Sequence, residues 1–545
     1  MYMKNLKKTV ATIVLITAVT ISFSYKSDFF EIAKQIEIYT TLFKELNLYY
    51  IDEINPADVM DKAIKNTLKD LDPYTRFYDE QGVEKARISA EGEYGGIGAS
   101  ISFKDGNLIV KEVFKDYPAH TSGLLPGDEI IKIDNIVLKS LEEEYVRLLV
   151  KGLPSTKLNV EIKRQNELKK IELVRETIEL NAVPFYAMVD DEVGYISFVK
   201  FNRKASQEVK NAFLDLKAQG MKKLIIDVRH NPGGLLGEAV NTVNLFIPKN
   251  KVVVTTRAKL DKWSNTYKTK NPPIDINIPL VIIVDNRSAS ASEILAGALQ
   301  DYDRAVIIGQ RSFGKGLVQR SRKLSYGTQL KLTISKYYTP SGRCIQELDY
   351  TNRNSETGKV PKFSEGKVNE FKTVNGRAVF DGGGVTPDLF VEKIKKTPAA
   401  EKLLNSDVIF NFVTEFYHKN PSIEDPKIFR LPSKKYDDFK KYAEIHADEF
   451  KLNTELSIDK SMEIAEKENL KLTKEYINLS KKIRSEKINS LDLNKKEILK
   501  ELENRIIKRY YFKEGTYLHK MSFDEEIKKG LEILKNENKY IEILN

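Results

Sequence analysis

Hydrophobic and polar positions change their spacing several times along the chain, and each spacing predicts a different kind of segment. In residues 27–91, apolar side chains recur every three or four positions, first from Ile32 to Leu46 and again from Val59 to Leu71. This spacing is typical of amphipathic helices. Pro73 ends the second helix because proline cannot extend it. We therefore predict an N-terminal helical domain over residues 27–91.

The spacing shortens in residues 92–177, where brief apolar runs alternate with turns rich in Gly, Asp and Pro. The pattern predicts one helix, over 142–150, and short strands over 99–103, 108–113, 129–133 and 158–162. Such a β unit has the size of a single binding module.

Strands alternate with helices in the next segment, residues 178–390, which predicts an α/β core with a mainly parallel sheet. The apolar strands are predicted at Gly194–Phe198, Leu224–Val228, Pro279–Val284, Ala305–Gly309 and Gln329–Tyr337. Helices are predicted between them at Ser206–Gln219, Gly237–Leu245 and Ser292–Leu299.

The last segment, residues 391–545, is rich in Lys and Glu and keeps a helical period, so we predict a helical extension. A coiled coil is the alternative, but Pro421, Pro426 and Pro432 interrupt a long heptad register. The fold class that follows is a mixed α/β and β multidomain protein.

Composition agrees with a folded protein of several domains. A chain of 545 residues exceeds the size at which one core keeps growing, so about three or four domains are expected. The formal net charge is +10, yet the sequence contains no nucleic-acid motif and no basic stripe. We therefore assign the charge to solubility and expect no nucleic-acid partner. Cys344 is the single cysteine, so no intrachain disulfide can form.

The N-terminus has the pattern of an exported protein. Lys4, Lys7 and Lys8 precede an uncharged, mostly apolar run from Thr9 to Tyr25. Residues 1–26 are accordingly predicted to be a signal peptide, with Ser22 and Ser24 spaced for cleavage after Ser24, or else an uncleaved membrane anchor. Either interpretation places the protein in the periplasm or on the outer face of the cytoplasmic membrane.

The first candidate for chemistry is the segment from Asp285 to Glu293, which contains Ser288, Ser290 and Ser292. It follows a predicted strand and precedes a predicted helix. A hydroxyl on such a turn lies at the carboxyl end of the sheet, where α/β folds bind ligands, and the free N–H groups of the helix start can stabilise an oxyanion. The alternative is a helix N-cap, because Ser with Glu nearby is common at helix starts.

The second candidate is Lys315, which lies between Gly314 and Gly316 among apolar residues. Burial lowers the pKa of an amine, and a neutral amine can serve as the base for a serine nucleophile. Gln319 lies four residues on and could orient the amine. The alternative is a solvated lysine on a mobile loop. A phosphate-binding loop is excluded because Gly316 stands where that motif needs Ser or Thr.

The third candidate is the Gly-rich turn from Asp227 to Leu235, where Gly233 and Gly234 permit a close approach of the backbone to a substrate. Its N–H groups could form part of an oxyanion hole. His230 raises the possibility of a Ser-His-Asp triad, although a solvated or turn-capping histidine is the commoner outcome. No His, Cys and Asp cluster has metal-ligand spacing.

Taken together, these three segments resemble those of the carboxyl-terminal processing, or tail-specific, proteases, which use a Ser-Lys dyad. The resemblance extends over about residues 36–391. Further motifs of this family are Leu71–Phe77, Tyr94–Gly98, Leu125–Ile130, Tyr337–Arg343 and Gly384–Asp388.

The resemblance implies a serine-type endopeptidase with a crotonase-like α/β core. Ser290 matches the family nucleophile and Lys315 its general base, while Gln319 matches the supporting glutamine. The oxyanion hole is expected from the N–H groups of Ala291 and Gly233. His230 stands where the family usually has Asn, which leaves the dyad intact but the role of the turn less defined.

The 92–177 unit is similar to a PDZ domain inserted into this core. Its Gly-rich loop can present successive N–H groups to the carboxylate of a peptide that adds as a β-strand. The expected peptide-binding residues are Gly95, Gly96, Ile97 and Gly98 in the loop, Ile101 and Leu148 around the last side chain, and Lys151 as a basic residue that senses the bound peptide. Without the resemblance, the glycines could merely permit a tight turn.

The expected function is therefore cleavage of exported or envelope proteins after their apolar C-termini bind the PDZ domain. An adaptor protein or a second copy of the chain is a possible partner. No metal or other cofactor is expected, since a lysine base needs none. The alternative is a non-catalytic PDZ scaffold or chaperone of the cell envelope. A third hypothesis, an acyl-CoA enzyme of crotonase-like fold, leaves a trap for C-terminal carboxylates unexplained.

Overall fold

The computed structural model of the chain describes residues 29–366 and 368–545 and divides into two compact units. One unit contains the residues up to Asp79 together with Ser321–Leu332, and the other contains Glu80–Arg320 and Thr333–Asn545. The predicted signal peptide or anchor, residues 1–26, lies outside the described residues. Among the described helices, none is both long and apolar enough to span a bilayer.

Apart from Ser321–Leu332, the described part of the first unit is helical with one short strand. Its elements are α1 (residues 29–49), α2 (Pro56–Lys69) and β1 (Arg76–Tyr78). Asn55 caps α2 by accepting a hydrogen bond from the N–H of Ala57, and Pro56 occupies the first turn, where its missing N–H costs nothing. β1 pairs antiparallel with residues 329–331.

The second unit begins with a helix that leads into the predicted β unit. The elements are α3 (Glu80–Glu91), β2 (Glu93–Gly96), β3 (Ala99–Lys104), β4 (Asn107–Val113), α4 (Pro118–Thr121), β5 (Glu129–Ile133), β6 (Ile136–Val137), α5 (Glu143–Leu149), β7 (Lys157–Arg164), β8 (Glu167–Val174) and β9 (Glu176–Glu179). The pattern did not predict β8, because almost all of its side chains are charged or exposed and Leu173 alone is buried.

A second group of elements forms the α/β core. They are β10 (Phe185–Met188), β11 (Val193–Ser197), α6 (Ala205–Ala218), β12 (Lys223–Asp227), α7 (Leu236–Asn244), β13 (Val252–Ala258), β14 (Asn265–Lys268), β15 (Leu280–Val284), α8 (Ala291–Asp301), β16 (Val306–Gly309), β17 (Leu317–Lys323), β18 (Gln329–Tyr338), β19 (Glu370–Lys372), β20 (Ala378–Phe380) and β21 (Leu389–Phe390).

The central sheet of this core has the order β10-β11-β12-β15-β16-β21 and is parallel except for β10. The strands β11, β12, β15 and β16 are nearly continuous apolar runs, as expected for parallel strands covered on both faces. The predicted strands and helices of the core begin and end within about three residues of the observed ones, a spread typical of sequence-based boundaries. The predicted α/β core is thus observed.

The C-terminal segment is helical, as predicted, but it does not form one separate body. Its helices are α9 (Pro398–Leu404), α10 (Val408–Lys419), α11 (Ser433–Ile445), α12 (Asn453–Lys467), α13 (Thr473–Ser490), α14 (Lys495–Phe523), α15 (Glu525–Lys535) and α16 (Glu537–Leu544). Helices α9 to α11 and the first half of α14 share a core of their own. Instead, α15 and α16 pack against the central sheet.

The two faces of the central sheet are therefore covered by different parts of the chain. Leu224 and Ile226 of β12 face the core that contains α6, α7 and α8. Ile225, between them, faces the opposite way into the cluster that contains α15 and α16. This alternation follows from the period of two in a strand. The hydroxyl of Tyr540 also donates to the carbonyl of Leu280, the first residue of β15.

Candidate active site

The nucleophile candidate Ser290 lies on a strained turn between β15 and α8. Its backbone has φ 56° and ψ −110°, a conformation that costs a residue with a side chain about 1–3 kcal/mol. Ser290 occupies the position just before α8, so the N-cap interpretation describes its place, but an ordinary N-cap has extended dihedrals. The strain leaves the side chain half-buried at the carboxyl end of the sheet.

The carboxylate of Glu293 holds this turn and the lysine segment together. Its Oε2 accepts the N–H of Ser290 at 2.7 Å and the N–H of Lys315 at 2.9 Å. Its Oε1 accepts the hydroxyl of Ser312 and the N–H of Gly314, both at 2.6 Å. The backbones of the two dyad candidates therefore share one carboxylate oxygen.

Glu293 is a residue that the sequence interpretation left without a role in chemistry. The only signal was its position three residues after Ser290, which is typical of a capping box. The side chain is fully buried, and burial raises its pKa above the ordinary value against the opposing effect of its hydrogen bonds. Four donors converging on one buried carboxylate make it a rigid centre for the site.

Lys315 lies half-buried in the loop before β17, and its glycine neighbours are sterically required. A Cβ on Gly316 would lie 2.7 Å from the backbone N of Gln346, and Gly314 has φ +85°. The side-chain oxygen of Gln346 also accepts the N–H of Gly316 at 2.8 Å. Because tight packing fixes the backbone on both sides of Lys315, its side chain starts from a defined position.

Gln319 extends from β17, and its side-chain amide donates to the hydroxyl of Thr333 at 3.2 Å. The structure thus brings the backbones of Ser290 and Lys315 together, whereas the amide of Gln319 is engaged by Thr333.

The Gly-rich turn packs directly against the Ser290 turn. The carbonyl of Asn231 accepts the N–H of Ala289 at 3.0 Å and the hydroxyl of Ser292 at 2.9 Å. A Cβ on Gly233 would lie 2.6 Å from the carbonyl oxygen of Ala289 and 3.0 Å from the Cβ of Ser290. Only glycine permits this approach, and its φ of +92° is another reason for glycine here.

The two predicted oxyanion donors differ in this structure. The N–H of Ala291, at the start of α8, has no acceptor among the residues that the structure describes. The N–H of Gly233 donates to the side-chain oxygen of Asn231 at 2.9 Å. Ala291 is therefore ready to bind an anion, whereas Gly233 must first exchange its bond to Asn231.

His230 is exposed and turns toward Asp285, not toward the serine. Its Nδ1 lies 3.2 Å from Oδ2 of Asp285, and within residues 29–366 and 368–545 no hydrogen bond joins it to Ser290. Partial burial lowers the pKa of His230 below its ordinary value, although the charge of Asp285 opposes this. The hydrogen bonds thus offer no support for a triad through His230.

Comparison with known proteins defines the family. Residues 192–351 match the model of peptidase family S41, and residues 95–174 match a PDZ domain. A curated carboxy-terminal-processing protease of Bartonella bacilliformis is 32% identical over 326 residues, which cover 58% of this chain and 74% of that protein. The chain belongs to peptidase family S41. The resemblance inferred from the motifs is confirmed.

Two further similar proteins are a curated relative and a solved structure. A "Probable CtpA-like serine protease" of Staphylococcus aureus is 35% identical over 309 residues, which are 56% of this chain and 61% of that protein. The chain thus spans about three fifths of the length of the Staphylococcus aureus protein. A solved photosystem II D1 C-terminal processing protease is 26% identical and overlays with a TM-score of 0.35, covering 66% of this chain and 88% of that one.

The helices after the S41 core also match a known family. Residues 399–534 match the model described as "Probable PDZ-protease, C-terminal helical domain". The predicted helical extension is therefore a recognised domain of proteases that carry a PDZ domain.

The PDZ domain of this S41 protein contains an open groove between β3 and α5, with a volume of about 570 Å³. The N–H groups of Ile97 and Gly98, at the end of the groove, have no acceptor within the described part of the chain. Leu148 of α5 keeps 46% of its surface exposed. Five of the seven predicted peptide-binding residues line the groove, namely Gly96, Ile97, Ile101, Leu148 and Lys151.

The other two predicted residues, Gly95 and Gly98, do not line the groove, but their lack of a side chain lets the loop pack closely against its neighbours. A Cβ on Gly95 would lie 2.0 Å from the carbonyl oxygen of Gly152, and one on Gly98 would lie 2.3 Å from the Cβ of Tyr117. At the groove itself, the Nζ of Lys151 lies 5.7 Å from the centre of the Tyr94 ring. The groove lining thus includes the cationic side chain of Lys151 as well as residues of the Gly-rich loop.

Proposed function

We propose that the chain is a serine endopeptidase that captures the C-terminal ends of other proteins in its PDZ groove and cleaves them with a Ser290–Lys315 dyad. The observation that carries this proposal is the shared Glu293 oxygen, which accepts the N–H of both residues. A serine on a strained turn, a lysine held at the same carboxylate and a free N–H at a helix start are the parts that acyl transfer needs.

In the proposed reaction, the neutral amine of Lys315 takes the proton from the hydroxyl of Ser290 as its oxygen attacks a peptide carbonyl. The N–H of Ala291 stabilises the resulting oxyanion, joined by Gly233 once Asn231 releases it. Lys315 then protonates the leaving amine, and a water molecule hydrolyses the acyl-enzyme. Gln319 supports the amine of Lys315 after exchanging its bond to Thr333.

For substrate capture, we infer that the terminal carboxylate binds the free N–H groups of Ile97 and Gly98 while the peptide pairs with β3. Its last side chain then lies against Ile101 and the exposed face of Leu148, which favours an apolar residue. Lys151 adds a favourable charge for the carboxylate. This is the β-strand addition that PDZ domains use.

We further infer a crotonase-like arrangement for the core, with the PDZ domain inserted into it. The inference is supported by the alternation of strands and helices in residues 193–309 and by the pairing of β2 with β9. These two strands begin and end the PDZ domain, and an insertion needs its two ends close together.

Export to the periplasm or to the outer face of the cytoplasmic membrane remains part of the proposal. It rests on the basic and apolar pattern of residues 4–25. A protease added to cells whose outer envelope is permeable but whose cytoplasmic membrane is intact should digest the chain, whereas protection equal to that of a cytosolic marker would contradict this location.

The proposed activity is tested with an unstructured substrate that ends in an apolar residue. Ser290→Ala and Lys315→Ala should each lower kcat at least about 1,000-fold while leaving the far-UV circular dichroism unchanged. Amidation of the substrate C-terminus should raise KM without changing kcat. Equal cleavage by wild type and Ser290→Ala, or binding of substrate without any cleavage, would favour a non-catalytic scaffold or chaperone.

A further inference from the structure

A buried cluster of charges lies behind the catalytic turn and joins the core to the C-terminal helices. The guanidinium of Arg229 contacts Asp227 through Nε at 2.9 Å and Nη2 at 2.7 Å. Its Nη1 lies 2.8 Å from a carboxylate oxygen of Asp524 and 2.8 Å from one of Glu526. The side chains of Arg229 and these three acids are all less than 8% exposed. Asp227 also accepts a hydrogen bond from the Nζ of Lys520 at 2.7 Å.

Three of the five residues of this cluster come from the junction of α14 and α15. Lys520 lies in the last turn of α14, and Asp524 separates the two helices and caps α15 by accepting the N–H of Ile527. Glu526 lies in the first turn of α15. The charges of this junction therefore reach Arg229 only while α15 lies on the central sheet, where its apolar face is buried.

The residues next to Arg229 in the chain form hydrogen bonds with the turn that carries Ser290. Asn231, two positions on, accepts the N–H of Ala289 and the hydroxyl of Ser292, which flank Ser290. The hydroxyl of Ser288 in turn donates to the carbonyl of Val228. A displacement of Arg229 is thus transmitted to the Ser290 turn from both of its sides.

The charges explain why Arg229 can remain in this place. A buried guanidinium is stable only when its donors meet negative charge or acceptors. Asp227 occupies Nε and Nη2, whereas Nη1 is directed at the carboxylates of the C-terminal domain. Without those carboxylates, Arg229 would keep a buried and unpaired Nη1, which favours movement of the side chain and of its turn.

We propose that Asp524 and Glu526 are positioning residues for catalysis, which hold the turn of residues 228–233 against Ser290 through Arg229. Docking of α15 onto the sheet then becomes a condition for full activity of a distant active site. This inference rests on the proposed protease function, and its contacts lie outside the dyad and outside the PDZ groove.

The test compares Asp524→Asn and Glu526→Gln with wild type in the full chain. Each variant keeps the shape of the side chain and removes its charge. We expect kcat for an unstructured substrate to fall about 10- to 100-fold with KM unchanged, since a small misplacement of a reacting group has effects of this size. Asp524→Glu, which restores the charge, should recover part of the lost kcat.

A second readout does not depend on activity. Amide hydrogen exchange in residues 229–234 should become faster in Asp524→Asn and Glu526→Gln. The matched control is Glu532→Gln on the exposed side of α15, where Glu532 forms ion pairs with Lys529 and Lys539. This control should change neither kcat nor the exchange of the turn.

The outcomes separate a positioning role from a purely structural one. Unchanged kcat and unchanged exchange in the folded variants would overturn the proposal, as would an exchange increase spread evenly over α15 and the sheet. If Asp524→Asn fails to fold, Glu526→Gln tests the same nitrogen of Arg229. If wild type and Ser290→Ala prove equally inactive, the protease function fails, while hydrogen exchange still decides whether the turn is held by α15.

Discussion

The Ser290 turn and the PDZ groove are both built around glycines, but they use them in opposite ways. Gly233 packs against Ala289 and Ser290, and both its N–H and the hydroxyl of Ser292 donate to Asn231. Gly98 instead helps to leave two N–H groups open at the end of a wide groove. The contacts that hold the Gly-rich turn against the Ser290 turn are present without a substrate, whereas the groove leaves two N–H groups open for the ligand. Changes at the turn should therefore affect kcat, and changes at the groove should affect KM.

Outside the proposed dyad, the largest effect is expected from Glu293→Gln. Four donors converge on the two carboxylate oxygens, and an amide would direct its own NH₂ group at two of them. Each buried donor left without an acceptor costs about 1–3 kcal/mol, and the two dyad segments lose their common support. We expect kcat to fall about 100-fold or more, together with a lower denaturation midpoint.

The matched control is Glu172→Gln on β8, where the exposed Glu172 pairs only with Lys157. It should leave both kcat and stability unchanged. A folded Glu293→Gln variant with the kcat of wild type would show that the shared carboxylate is dispensable.

The next effect is expected from Gly233→Ala. The added Cβ would lie 2.6 Å from the carbonyl oxygen of Ala289 and 2.8 Å from the N of Ala291, so the Ser290 turn must shift. We expect a decrease in kcat of about 10- to 100-fold with a smaller change in KM. Gly237→Ala is the control, because nothing lies within 4 Å of its Cβ and it is in helix α7. Reduced kcat in Gly237→Ala as well would remove the specific role of the turn.

A smaller effect, on binding, is expected from Gly98→Ala in the PDZ domain. Here the Cβ would lie 2.3 Å from the Cβ of Tyr117, which distorts the loop that carries the free N–H groups. KM for a substrate with a free C-terminus should rise about tenfold, the equivalent of losing about 1.4 kcal/mol of binding. The kcat value should stay the same.

Gly123→Ala separates the clash from the backbone strain. Gly123 also has a positive φ, of +79°, but nothing lies within 4 Å of its Cβ. The Gly123→Ala variant should bind a C-terminal peptide with the affinity of wild type, as measured by fluorescence anisotropy. Equal loss of peptide affinity in Gly98→Ala and Gly123→Ala would indicate a general effect on folding of the domain.

The smallest effect concerns pH. Because partial burial lowers the pKa of His230, the folded state favours its neutral form. Folding stability should therefore fall as pH is lowered through the ordinary histidine value of about 6.5. His230→Asn should flatten this part of the profile, measured as urea midpoints. Asp285 cannot account for it, because its pKa is lowered and its contribution is lost only below its ordinary value of about 3.9. An unchanged slope in His230→Asn would contradict the assignment.

The sequence by itself determined the elements and the family. The strand at Leu280–Val284 and the helix at Ala291–Asp301 were predictable because their apolar runs and caps are local signals. The motifs around Ser290 and Lys315 likewise lie in short continuous segments, so their order along the chain was sufficient to identify the S41 resemblance.

Only the tertiary structure decided what holds these segments together. From the sequence, Glu293 resembled an ordinary helix cap. Its contacts with Gly314 and Lys315 could not be predicted, because these residues lie 21 and 22 positions later in the chain. The last two helices looked like part of a separate extension, because an amphipathic period shows that a helix buries one face but not which surface covers it. That surface is the back of the central sheet, and the same docking places Asp524 beside Arg229.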